Sequence, residues 1–181
     1  MEEIEKQEIL RLLADGSDAL HAALSGVDEE LAHRKPSPLN WSILECVEHV
    51  TLAETGLLSK LREAWATNES HADRAREAKF RELALNRARR IEAPGPAVPG
   101  KTAKTLVQAV DGFNAARRET VQFVEEFPCE LRSWLATHPL ITRPVNCYEM
   151  LLLMALHPKR HALQIEEIRE ALRGSKNTAE L

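Results

Sequence analysis

Two histidines four residues apart carry the first chemical signal in this chain. They lie in CYEMLLLMALHPKRHALQIEEIREAL, spanning Cys147–Leu172. Counting every third or fourth residue from Cys147 gives Met150, Met154, His157, His161, Gln164 and Ile168. That spacing is one stripe of a helix. The stripe is apolar at both ends and polar in the middle, and a polar patch on a core-facing stripe must be satisfied by something. His157 and His161 project the same way, one turn apart, which is the spacing two ligands of one metal ion need. His49 is a third candidate, in WSILECVEHV (Trp41–Val50). Neutral imidazole is the commonest metal-ligating side chain, and three of them leave further coordination positions open for water or substrate. Spacing alone does not choose between ligands and hydrogen-bonded packing histidines, nor does it link His49 to the pair.

Other polar residues have weaker claims. Gln164 shares the face of His161 and suits either an orienting role beside a ligand or a helix-interior hydrogen bond. Glu45 lies one turn before His49, where helix capping is the better reading. Cys46 and Cys147 read as buried packing thiols. His138 precedes a proline in a connection and reads as a solvated or turn-capping residue. His21, His33 and His71 have no supporting pattern. Arg74, Arg76, Arg81, Arg87, Arg89 and Arg90 form a basic run with interspersed acids, which reads as a solvated face rather than a phosphate site.

Four helical patterns must position these residues. Ile9, Leu13, Leu20 and Leu24 lie on one face of a first helix over Glu3–Ser25, which Gly26 can end. RKPSPLN (Arg34–Asn40) is a loop. Ser42 and Glu45 have the spacing of a capping box, so a second helix starts near Trp41 or Ser42 and runs to about Thr67. The segment Asn68–Ala93 is a less regular surface helix, and APGPAVPGK (Ala93–Lys101) is a loop. Thr105 and Gln108 open a third helix, with Leu106, Val110, Phe113, Val121, Val124 and Phe127 on its core side and Pro128 as its stop. Asn146 and Glu149 open the last one. Nothing reads as an extensive sheet, so the expectation is an all-α four-helix bundle with long connections, a single domain over residues 1–181.

Composition narrows the function. The chain has 181 residues, 44% of them hydrophobic, enough for a sizeable core. Its net charge of −4 gives no reason to expect nucleic acid or an anionic membrane as partner. The polar start MEEIEKQEIL does not read as a targeting signal, and the run Met150–Leu156 is too short to span a bilayer. Three cysteines, Cys46, Cys129 and Cys147, without a CxxC pair, read as reduced thiols of a cytoplasmic protein. The block Leu151–Leu156 offers its helix no polar side and needs burial all round, by other helices or by a second copy in a homodimer.

The chain resembles the DinB/YfiT-like superfamily of small helical proteins. The residues that carry the resemblance are WSILECVEHV (Trp41–Val50), the His-Pro of Ala136–Leu140, and MLLLMALHPKRHALQIEEI (Met150–Ile168). The pattern is a Trp-Ser helix start with a histidine eight residues after the tryptophan, then a late His-x-x-x-His-x-x-Gln-Ile helix. The resemblance implies a four-helix bundle, often dimeric, with a divalent metal, zinc or nickel foremost, on His49, His157 and His161. It also implies a metal-dependent enzyme acting on a small-molecule substrate. Low-molecular-weight-thiol-dependent transfer is the first expectation; metal-dependent hydrolysis, or a non-catalytic stress-related binding bundle, is the alternative. One departure stands out: Pro158 follows His157 directly, and a proline there predicts a kink or bulge between the two ligands.

Overall fold

The computed structural model describes residues 2–88, 91–128 and 130–178, without the side chains of residues 2 and 175–178. Cys129, Arg89 and Arg90 therefore lie outside the described residues. Among the described residues there are six α-helices: α1 (Glu2–Ala23), α2 (Glu29–His33), α3 (Ile43–Arg62), α4 (Arg74–Leu85), α5 (Leu106–Glu126) and α6 (Cys147–Thr178). Three strands, β1 (Trp65–Ala66), β2 (Trp134–His138) and β3 (Ile141–Asn146), form a small antiparallel sheet in the order β1-β2-β3. The fold is thus mainly helical, with a sheet that the sequence reading did not expect.

Local chemistry fixes the helix ends. Ser42 caps α3 in a full capping box, its hydroxyl accepting from the Glu45 N–H while the Glu45 carboxylate accepts from the Ser42 N–H. Asn146 and Glu149 exchange the same two bonds at the start of α6. Thr105 caps α5, and Gly26, with φ of 72°, turns the chain after α1. The end of α3 differs from expectation. The helix stops at Arg62 rather than near Thr67, because Trp65 and Ala66 pair with Leu135 and Trp134 of β2. The α2 turn and the β2–β3 hairpin were also unforeseen. They are too short for periodicity to separate them from loop.

The long helices α1, α3, α5 and α6 form the bundle: α1 packs on α6 and α5, and α3 packs on α5 and α6. Their apolar contacts fall into two clusters rather than one. One holds Ile9, Leu13, Leu58, Leu61, Val124 and residues 147–156 of α6. The other holds Leu20, Ile43, Val47, Val50, Phe113, Ile165 and Ile168. Between them each helix contributes a residue of another kind: Gly16 from α1, Glu54 from α3, Arg117 from α5, and His157, Pro158 and His161 from α6. A polar layer therefore crosses the bundle at mid-height. The block Leu151–Leu156 lies in the first cluster, and all of it but the half-buried Leu153 is buried within this one chain. No helix among the described residues is long and apolar enough to cross a membrane.

The structure answers the question raised by Pro158. Every residue of α6 from Cys147 to Thr178 is helical, so the proline does not break the helix. Proline lacks the N–H that would bond to the carbonyl four residues back, here that of Met154. The Arg117 guanidinium donates to that carbonyl instead, at 3.3 Å.

Candidate metal centre

His49 projects from the first half of α3, and His157 and His161 from the middle of α6. The interlocking of α3 with α6 brings the three rings together, with one nitrogen of each within 4.8 Å of the others. The Nε2 atoms of His49 and His157 are 3.2 Å apart, and those of His161 and His157 are 3.0 Å apart. His49 and His161 are buried, and His157 is partly buried.

The protonation state follows from the surroundings. Burial lowers the pKa of His49, and its bond to the Ala97 carbonyl only partly opposes this. Burial, then the neighbouring His49, Arg160, Arg117 and His138, pushes His157 down to about 3. His161 lies well below the usual histidine value, from burial and then from His157 and His49. All three rings are therefore neutral near pH 7. His49 Nδ1 lies 2.7 Å from the Ala97 carbonyl oxygen, which can only accept. Its proton sits on Nδ1, and its Nε2 presents a lone pair to the cluster. With that tautomer fixed, at most one of the two Nε2–Nε2 contacts can be a well-aligned hydrogen bond. The other is left without an aligned donor. A cation placed among the three Nε2 atoms would take a lone pair from each and remove this mismatch. The separations of 3.2 and 3.0 Å about His157 match ligand nitrogens on one ion, roughly 3.0–3.4 Å for bonds of about 2.1 Å in octahedral or tetrahedral geometry. The donor set thus fits a divalent metal, and the three-histidine cluster could hold one.

A supporting shell holds His49 in place. Trp41 lies against the rings of His49 and His161, with centroids 4.8 and 6.2 Å away. The loop after the 3-10 turn Gly95–Ala97 is gathered onto α3 by Glu48. Its carboxylate accepts from the N–H groups of Gly100, Lys101, Thr102 and Ala103 and from the Thr102 hydroxyl. Adjacent residues of α3 thereby divide the work: Glu48 anchors the loop, and the loop returns the Ala97 carbonyl to His49. By contrast, the Nδ1 of His161 is buried without a protein partner among the described residues.

A scan against protein-family models matches residues 12–165 to the DinB superfamily. The chain belongs to the DinB superfamily. No curated protein and no solved structure matches it. For this DinB superfamily chain, the three histidines singled out from the sequence are the ones that meet in space. The other candidates stay outside the cluster. Glu45 caps α3 and pairs with Lys35. Cys46 and Cys147 are free and buried, and burial raises both thiols, Cys147 to about 12. Gln164 is half-buried and makes no hydrogen bond to the three rings among the described residues. His138 caps the β2–β3 turn, its Nδ1 accepting from the Leu140 N–H. It is more enclosed than a solvated residue, and burial brings its pKa down to about 4.

The arginine run of α4 is not simply solvated. Arg74 and Arg76 pair with Glu77 and Glu149, Arg81 with Glu8, and Arg87 with Glu167. Apart from the Arg74–Glu77 pair, which is internal to α4, these bonds dock α4 and the residues just past its end against α1 and α6. Sequence reasoning missed Ala97, whose contribution is a backbone carbonyl and leaves no side-chain signal. It also missed Glu48, and it read no site role into Trp41. Arg117 and Glu54 did leave a signal. Arg117 falls four residues after Phe113 and seven before Val124, on the apolar stripe of α5, and Glu54 sits between Val50 and Leu57 in the same way on α3.

Proposed function

We propose that this protein is a metal-dependent enzyme in which His49, His157 and His161 hold one divalent ion, zinc or nickel, and that it transfers a low-molecular-weight thiol to a small electrophile. One observation carries the reading: one nitrogen of each of three imidazoles converges on one point, with His49 held in the ligating tautomer by Ala97. When bound, the ion supplies the Lewis acidity that makes a small thiol or a water reactive at neutral pH. The chain supplies the rest. Ala97 and Glu48 fix the direction of His49, and Trp41 shields two of the rings from one side. In this reading substrate approaches beside His157, the least buried of the three ligands. The substrate is a small molecule in this reading, and the compartment is the cytoplasm. A homodimer remains compatible with it, although burial of Leu151–Leu156 within one chain no longer calls for one.

A second reading, a non-catalytic binding bundle, is favoured by one feature. Among the described residues no carboxylate or thiol joins the histidines, so no general base accompanies the ligands. Metal analysis of untagged protein separates the outcomes. One equivalent of zinc or nickel per chain is expected. Replacing His49, His157 or His161 by alanine should weaken binding at least ~100-fold, since losing even an outer partner of a ligand costs 10–100-fold. Failure to take up zinc, nickel or manganese would sink the metal reading. Stoichiometric uptake without thiol-dependent turnover on a panel of small electrophiles would favour the binding bundle.

A further inference from the structure

The polar layer contains a second constellation that the histidine cluster does not use. Arg117 is buried at the centre of the bundle, and its guanidinium reaches three other helices. Nη1 donates to the Leu13 carbonyl of α1 at 3.1 Å. Nη2 donates to Glu54 Oε2 of α3 at 2.7 Å and to the Met154 carbonyl of α6 at 3.3 Å. Arg117 and Glu54 are both almost fully enclosed, so the pair carries a large desolvation cost. Stability alone gives little reason to keep it, because well-packed apolar residues of similar volume commonly do as well or better.

Its location supplies another reason. The Met154 carbonyl is the one that Pro158 deprives of its helical N–H. The next carbonyl along, that of Ala155, faces Gly16 of α1. A Cβ on residue 16 would lie 2.3 Å from that oxygen, and 3.8 Å from the Pro158 ring. Only glycine leaves room for this approach. Both carbonyls beside the proline are thus received by neighbouring helices, one by a charged donor and one by a missing side chain. Between these two carbonyls and the proline lie only Leu156 and His157.

We infer that Arg117, balanced by Glu54, is a positioning residue for the histidine centre. It replaces the helical hydrogen bond that Pro158 removes, and so fixes the turn of α6 that aims His157 at His161 and His49. The inference rests on the metal reading for its consequence, not for its geometry. A charged donor from another helix, unlike an in-line N–H, is directional across the bundle. It ties the orientation of His157 to the packing of α5 and α3.

The proposal predicts a specific rescue. In the pair variant Arg117→Met/Glu54→Gln, chosen to leave no lone buried charge, cobalt(II) affinity should fall about 10–100-fold, the range for lost outer-sphere support. Circular dichroism should still show a folded helical protein. Adding Pro158→Ala returns an N–H to the Met154 carbonyl and should bring affinity back to within about threefold of the natural chain. The cobalt ligand-field spectrum should return with it. A purely structural pair would give no such rescue. Histidine-ring NMR of the metal-free proteins is the second readout: the His157 signals should move in the pair variant and move back in the triple variant. If the natural chain binds no cobalt, zinc or nickel, the metal reading fails, and the ring signals alone decide the positioning role. Unchanged His157 signals in the pair variant, or a shift that Pro158→Ala leaves in place, would overturn it.

Discussion

Two buried polar clusters in this bundle are built on opposite principles. Around Arg132 the groups complete one another. Its guanidinium donates to Glu5 and Glu77 and lies over the Tyr148 ring at 3.8 Å. Nearby, Arg76 forks onto the fully buried Glu149. Donors meet acceptors and positive meets negative, so nothing is left for a ligand to supply. At the histidine centre the groups are alike. Three neutral rings bring their Nε2 atoms together; His49 has a backbone partner on its far nitrogen, and His161 has none among the described residues. A self-satisfied cluster docks elements, here α4 and the β2 approach onto α1 and α6. An unsatisfied one is a candidate binding site. The difference is chemical, since most members of both clusters are buried.

The sharpest way to break this contrast is to remove one partner from the complete cluster. Arg132→Met would leave the buried Glu5 and Glu77 with only the exposed Arg74 as counter-charge, and should destabilise the fold by about 3 kcal/mol in denaturant melts, the low end for breaking a buried pair. It should leave metal affinity nearly unchanged in the protein that remains folded. A mild effect would mean that the cluster is less complete than its geometry indicates.

The histidine centre should respond to acid instead. The fold keeps His49, His157 and His161 neutral, His157 down to about pH 3, whereas in the unfolded chain each takes up a proton near pH 6.5. The unfolded state therefore binds more protons below pH 6.5, and metal-free protein should lose stability as pH falls through that value. The loss grows by about 1.4 kcal/mol per pH unit for each imidazole that stays neutral. His157→Leu should reduce the slope by one such contribution. Chemical melts between pH 7 and 5 would show it, and an unaltered slope would mean that His157 already takes up a proton in the fold.

The smallest effect is expected one step away from the ligands. Glu48→Gln replaces a carboxylate that gathers four backbone N–H groups with an amide that cannot accept from all of them. The loop should loosen, and with it the Ala97 hold on His49. Zinc affinity should fall about 10-fold, or ~1.4 kcal/mol. Calorimetry showing no change would detach the loop from the centre.

Much of this was legible along the chain. The periodic stripes of α1, α3, α5 and α6, the caps at Ser42, Thr105 and Asn146, and the i, i+4 spacing of His157 and His161 are local properties, carried by neighbouring residues. The family pattern added His49 to the pair. Charges on apolar stripes, at Glu54 and Arg117, were visible without their partners. The β2–β3 hairpin was hidden because two short, irregular strands leave no period to read.

The sequence by itself determined which residues could ligate and which helix faces would carry them, because helical spacing sets the direction of a side chain. Only the tertiary structure decided that the rings meet, that His49 is held in one tautomer by a backbone carbonyl, and that Pro158 leaves α6 unbroken. Two of those outcomes involve groups far away in the chain: Ala97 bonds His49, and Arg117 and Gly16 meet the carbonyls of Met154 and Ala155 ahead of the proline. A hydrogen bond between distant residues has no periodicity, so packing alone could reveal it.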